Sequence, residues 1–304
     1  GPFGVLTFDA HTGDRSAFRP FPFDAMELVN SCTKEPEPMT IFEDWFTLLN
    51  RGEKITAVGS SDSHTVGDPV GQGRTYVLSS TDDPSKIDVD EACASFNSGK
   101  VSVSLGIFTD ILVDKKARMG DVAGNLSENV SVEVLVAAPA WIHPRRVLVF
   151  LNGIQVHEIP VQGKTGKPTR ETVSFQIPRP KNDAHLVCVT FGDGVTYPGW
   201  RTLHNYTLAA TNPVYLDADG DGQYRSPRET AERLLEKAGD DEEARLAAIR
   251  ATESPVALQT LSLLRAQKKD VSKIISQCGD VHPLFKKYAK YLRKVKRRKR
   301  EHDH

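Results

Sequence analysis

The chain has 304 residues, 39% of them hydrophobic and 26% charged, values ordinary for a water-soluble globular protein with room for about two domains. No run of about 18 apolar residues occurs, which excludes a membrane-spanning helix on composition. The net charge of −1 conceals an asymmetry: residues 286–300 carry ten Lys or Arg and no acid, and removing those ten positive charges leaves −11 for the remainder.

Three zones follow in chain order: 1–100, 101–215 and 216–304. The opening GPFGVLTFDAH carries no initiator Met and reads as a strand already under way, so an upstream segment is expected. VLTFDA and FDAMELV read as buried strands. IFEDWFTLLNRG then has Ile41, Trp45, Leu48 and Leu49 on one helical face and Gly52 as a stop. KITAVGSS and RTYVLSS are further strands, followed by a helix near DPSKIDVDEACASFNSGK that ends at Gly99. Strands alternating with helices predict a parallel sheet, barrel-like or doubly wound.

The second zone changes character. In VSVEVLVAAP, Val130, Val132, Val134 and Val136 alternate with the other face, and RRVLVFLNGIQVHEI is a hairpin whose turn is Asn152-Gly153. ETVSFQIP, HLVCVTFGDG and NYTLAA continue the pattern, which predicts an antiparallel β-sandwich. The third zone is helical. Ser226-Pro227-Arg228-Glu229 fits a capping box, Ser254-Pro255 opens another helix, and the basic tail has apolar residues at helical spacing. Cys32, Cys93, Cys188 and Cys278 lack CxxC spacing, so neither a zinc ribbon nor a disulfide framework is expected. The apolar runs around Cys93 and Cys188 predict buried free thiols.

Candidate metal ligands come from three places. In TAVGSSDSH an apolar strand runs out into a loop bearing Asp62 and His64. A carboxylate and an imidazole there suit zinc, manganese or iron. The same spacing is compatible with a strand-end turn that has a capping Asp and a surface His. His11 follows another apolar strand in the same kind of position, and Glu27 interrupts an apolar stretch, where a carboxylate needs a partner. Farther on, Asp217, Asp219, Asp221 and Gly222 match the start of a calcium-binding loop, although Arg228 stands where such a loop carries its bidentate Glu. His143, His157, His185 and His204 fall in the sandwich zone and read as surface or loop residues.

The segments FPFDAMELVNS, DWFTLLNRGEKITAVGSSDSH, GQGRTYV and ATNPVYLDADGDG resemble the CehA/McbA-type metallohydrolases of the PHP (polymerase and histidinol phosphatase) superfamily over roughly residues 3–223. The resemblance implies the C-terminal part of a distorted (β/α)7 barrel, followed by the sandwich and the helical tail. It also implies a site of two or three divalent metals whose bound water attacks a phosphoester or related ester or carbamate bond. On that pattern Asp62 and His64 match the family's final D-x-H pair. His11 matches a His that usually precedes Pro, here Thr12, and Glu27 matches an acidic position on the following strand, as a ligand or a partner of one. The family's opening H-x-H would lie upstream of residue 1, so the chain is expected to supply part of a site. The expected partner is a small-molecule or ester substrate, and nucleic acid is not expected. The alternative is a non-catalytic binding or accessory protein with a vestigial barrel and a recognition sandwich.

Overall fold

The computed structural model describes residues 8–15, 23–163 and 166–302. The described residues form a mixed α/β structure with several sheets and seven α-helices, and none of these helices is long and apolar enough to cross a membrane. Half of VLTFDA, residues 5–7, lies outside the described residues. What is described of that region is an isolated bridge from Phe8 to Arg15 and a tight turn closed by Gly13 N donating to Asp9 O at 2.8 Å.

Strand β1 (Ala25–Asn30) pairs in parallel with β2 (Thr56–Ser60), and helix α1 (Met39–Asn50) makes the crossover that parallel strands require. Phe42, Trp45, Phe46, Leu48 and Leu49 of α1 are buried. Trp45 Nε1 donates to Ile55 O at 2.9 Å, tying the helix to the start of β2. The parallel sheet stops at these two strands, and no closed barrel is found among the described residues.

The next elements belong to a large mixed sheet. Strand β3 (Gly73–Val77) is followed by helix α2 (Val89–Asn97) and β4 (Val101–Leu105), and β3 pairs antiparallel with β4 from Gly73↔Leu105 to Val77↔Val101. One sheet therefore runs across the expected boundary at residue 100. At Gly106, φ +90°, the chain leaves this sheet; a Cβ there would lie 2.4 Å from Ile142 Cδ1, so only glycine fits. Strands β5 (Phe108–Val113), β7 (Asn129–Ala138) and β10 (Thr169–Pro178) form a smaller antiparallel sheet in the order β10-β7-β5. The short β6 is Val122–Ala123. Strand β8 (Pro144–Leu151) and β9 (Ile154–Pro160) form the expected hairpin, with Asn152 and Gly153 at φ +48° and +77°, the left-handed pair of a tight hairpin turn. Strand β11 (Ala184–Asp193) is the centre of the large sheet. Strand β8 lies on one side of it; β12 (Tyr206–Thr211) and β13 (Val214–Leu216) follow one another along the other.

Alternation sorts the side chains of the large sheet into two cores. Val147, Val149, Leu186, Cys188 and Ala209 face the small sheet, whose Val130, Val132, Val134 and Val136 complete the sandwich interior. Leu148, Phe150, Val187, Val189, Leu208 and Ala210 face the other way, onto α1, β1 and β2. The large sheet is thus the middle of three layers.

A helical unit of α3 (Pro227–Ala238), α4 (Glu242–Ala251), α5 (Ser254–Ala266), α6 (Ser272–Cys278) and α7 (Pro283–His302) has its own core. The expected capping box at Ser226 and Glu229 is present. Helix α5 is buried almost all round, as an enclosed helix should be. It docks on the residue 9–14 turn: Gln259 Nε2 donates to Thr12 O at 2.8 Å and Ser262 Oγ to Asp14 Oδ2 at 2.6 Å.

All four cysteines are free. Cys188 and Cys278 are buried, but Cys93, expected to be buried, is exposed, because of the residues of α2 only Ser95 is buried. The expectation for the sandwich histidines fails at His185, fully buried in β11; His204 is a loop residue, though a buried one, with Nε2 2.9 Å from Thr33 O.

Candidate metal centres

The first candidate site lies at the C-terminal ends of β1 and β2. A bulge between Glu27 and Val29 leaves Glu27 exposed while Met26, Leu28 and Val29 face the core. Ser60 Oγ donates to Glu27 Oε1, and Asn30 Nδ2 donates to Glu27 Oε2 at 3.2 Å and to Asp62 Oδ2 at 2.9 Å. Asn30 is itself fixed, its Oδ1 accepting from Cys32 N and Thr33 N at 3.0 and 2.8 Å. Asp62 turns the chain at φ +51°, a conformation that Asp tolerates better than most residues. The turn brings Asp62 Oδ1 to 2.8 Å from His64 Nε2.

The loop beyond is held by Asp68, whose Oδ2 accepts from His64 N at 2.9 Å and Thr65 N at 2.8 Å. Hydrogen bonds from Asn30 and then His64 hold the Asp62 carboxyl below the usual carboxylate range, and the backbone amides of His64 and Thr65 do the same for Asp68. The pair is open to solvent, with the His64 side chain 76% and Asp62 40% exposed. Glu27, Asp62 and His64 therefore share one strand edge, linked by Asn30 and Ser60.

His11 does not join them. His11, Asp62 and His64 do not bring three ligand atoms within 4.8 Å of one another, so the expectation that they share an ion is not met. The reason is local: residues 9–14 form a turn against the end of α1 and the helical unit, where Arg51 Nη1 meets Asp14 Oδ1 at 2.5 Å. The His11 ring packs on Tyr291 and Tyr288, with centroids 4.8 and 5.7 Å away, and its Nδ1 is buried without a hydrogen-bond partner. Burial, and then the charge of Lys287, push the imidazole below its ordinary range.

The second candidate is acidic. Ligand atoms of Asp183, Asp217 and Asp219 lie within 4.8 Å of one another. Asp217 Oδ1 and Oδ2 accept from Gly220 N and Gly222 N at 2.7 and 2.8 Å, which winds the loop round that carboxylate. Asp183 comes from the β10–β11 turn, delivered by the pairing of Ala184 with Leu216. Its Oδ1 and Oδ2 accept from Ala218 N and Arg225 N at 2.8 and 2.9 Å. Burial raises the Asp183 carboxyl above its usual range.

The expected third loop ligand, Asp221, is engaged otherwise. It pairs with the Arg225 guanidinium, which also lies 3.4 Å from Asp219 and 3.8 Å from Asp183. Glu229 serves the helix cap, with Oε2 2.8 Å from Ser226 N, and Arg228 Nη1 donates to Ser262 Oγ at 2.7 Å. Asp183 thus lies beside Asp217 and Asp219 from a position no loop motif reaches.

No family model, curated protein or solved structure matches the chain.

Proposed function

We propose that the chain is part of a metal-dependent hydrolase of PHP type, in which Asp62 and His64 hold a zinc, manganese or iron ion and Glu27 orients them through Asn30. The observation that carries this reading is the 2.8 Å approach of Asp62 Oδ1 to His64 Nε2 at the end of a parallel strand. Two donors that far apart, each at about 2.1 Å from one ion, subtend about 85°, an angle open to an octahedral centre. Asp62, held ionised by Asn30, is an acceptor ready to ligate. Asn30 and Ser60 fix the two carboxylates, as partners behind metal ligands do. A bound divalent ion would acidify a coordinated water and polarise a phosphoester or related ester or carbamate bond.

Among the described residues β1 has one strand neighbour, β2. Its outer edge is where further strands of a PHP barrel, bearing further ligands, would pair in this reading. A structural calcium at Asp183, Asp217 and Asp219, with Arg225 swinging aside, is the second cation we propose.

One observation favours the rival reading of a non-catalytic recognition protein: His11 is committed to Tyr288 and Tyr291. Elemental analysis paired with a phosphoester screen separates the two. The hydrolase reading expects a stoichiometric transition metal and turnover, both reduced to background in Asp62→Ala, and a roughly 10- to 100-fold loss of metal affinity in Glu27→Gln. Metal-free protein without turnover after incubation with zinc, manganese or iron would leave the recognition reading standing.

A further inference from the structure

Helix α7 divides lengthwise into two chemically opposite faces. Phe285 and Tyr288 are fully buried, and Leu284, Tyr291 and Leu292 pack against the same core. Arg265 donates to the Tyr288 hydroxyl and lies 3.6 Å from Asp9, fastening this face to the body of the protein. On the other face Lys286, Lys290, Arg293 and Arg297 recur at i, i+4, i+7 and i+11. At 100° per residue they fall within an arc of about 60° over a length of about 16 Å, and Lys287 and Lys294 widen the arc to about 120°. All six are exposed.

The ion pairs of the helical unit are made elsewhere, by Arg250 with Asp280, Lys269 with Asp240 and Lys273 with Glu242. Among the described residues none involves Lys286, Lys287, Lys290, Arg293 or Lys294. Like charges three and four residues apart on a helix repel. Those five side chains therefore concentrate positive charge that no ion pair among the described residues neutralises, on a chain that carries −11 without the ten basic residues of 286–300.

A polyanion supplies what is missing, and the buried face decides which kind. A helix that lies in a membrane interface sinks its apolar side into the acyl chains, and here that side is already spent on the protein core. What is left is a straight row of cations, suited to a row of phosphates. We propose that the exposed basic ridge of α7 binds the phosphodiester backbone of nucleic acid without sequence preference. The sequence alone, lacking any nucleic-acid motif, ranks this partner last; the pairing state and the committed apolar face favour it. The inference stands apart from the metal reading.

The test uses the whole protein with fluorescein-labelled single- and double-stranded 20-mers, read by anisotropy across a salt series. The expected result is binding that weakens with salt at a log–log slope of about −3 or steeper. The triple variant Lys286→Glu/Lys290→Glu/Arg293→Glu should lose affinity at least tenfold and lower the slope magnitude by about 3. Because charge reversal can disturb the helix, the Gln version of the same triple is measured alongside, with circular dichroism confirming fold. Co-sedimentation with phosphatidylserine–phosphatidylcholine vesicles is the second arm. Absence of oligonucleotide binding at low salt, a slope shallower than about −2, or vesicle binding without oligonucleotide binding would overturn the proposal.

Discussion

Asp44 on α1 and His185 on β11 are buried ionisable residues, and they titrate in opposite senses. Asp44 is 1% exposed, its Oδ2 lacks a hydrogen bond, and burial pushes its carboxyl up to about 6. A carboxyl whose folded pKa exceeds its unfolded value keeps its proton longer in the folded state. Asp44 therefore costs nothing below about pH 4, and its cost grows to about 3 kcal/mol as pH rises through 6. His185 stacks on Phe46 at 6.1 Å with both ring nitrogens unpartnered, and burial pushes it down to about 3. Below its ordinary pKa of about 6.5 the unfolded chain takes up a proton that the folded chain refuses. Stability is then lost as pH falls from 6.5 toward 3, by up to about 5 kcal/mol. Urea unfolding at pH 4, 5.5 and 7.5 checks both. Asp44→Asn should stabilise by about 1–3 kcal/mol at pH 7.5 and little at pH 4, whereas His185→Leu should flatten the acid limb. Parallel pH profiles for the two variants and the unmodified protein would refute both assignments.

At the level of elements, the join between the parallel ribbon and the large sheet is made by side chains. Asn212, fully buried, accepts from Ala57 N at 2.8 Å and donates through Nδ2 to Ala57 O and Val101 O, each at 2.9 Å. Thr75 Oγ1 both accepts from Gly59 N and donates to Gly59 O at 2.9 Å. Asn212→Ala would strand one buried donor and two acceptors, and should cost about 2–4 kcal/mol in chemical denaturation, at the high end for a side-chain amide. A cost below about 0.5 kcal/mol would mean that backbone or water replaces the amide. The elements themselves were largely legible: helical spacing marks α1, alternation marks β7, and Asn-Gly marks the hairpin of β8 with β9. The join was not, because Asn212 and Ala57 are separated by 155 residues and periodicity carries no such information.

Across the whole molecule, the β10–β11 turn connects three parts. Asp183 holds the acidic loop through Ala218 N and Arg225 N, while Lys181 N donates to Glu253 Oε1 at 2.8 Å and Asn182 Nδ2 to Thr252 Oγ1 at 3.1 Å. Sandwich, loop and helical unit therefore share one support. If calcium binds at Asp183, Asp217 and Asp219, millimolar calcium should raise Tm, by roughly 2–4 °C per kcal/mol of binding in a protein of this size. Asp183→Asn should abolish that increment and lower the Tm of the calcium-free protein. An identical Tm with calcium and with chelator would rule the ion out. Of the candidate sites, sequence spacing made the adjacent Asp62 and His64 visible, and the loop aspartates as well. Asp183 was hidden because strand pairing delivers it, and His11 misled because a ring beside an apolar run does not reveal which neighbour will cover it.

The side-chain join has a mechanical consequence. Two residues, Asn212 and Thr75, act as rivets along β2, so the amides of Ala57 and Gly59 are held by side chains and not by any ladder of the large sheet. Deuterium uptake resolved by residue should show this: the amides of Ala57 and Gly59 should exchange through local opening, well ahead of Val187 and Val189 in the central strand. Matched rates at all four amides would instead make the two layers a single cooperative block, with the strand-end carboxylates as immobile as the sandwich beneath them.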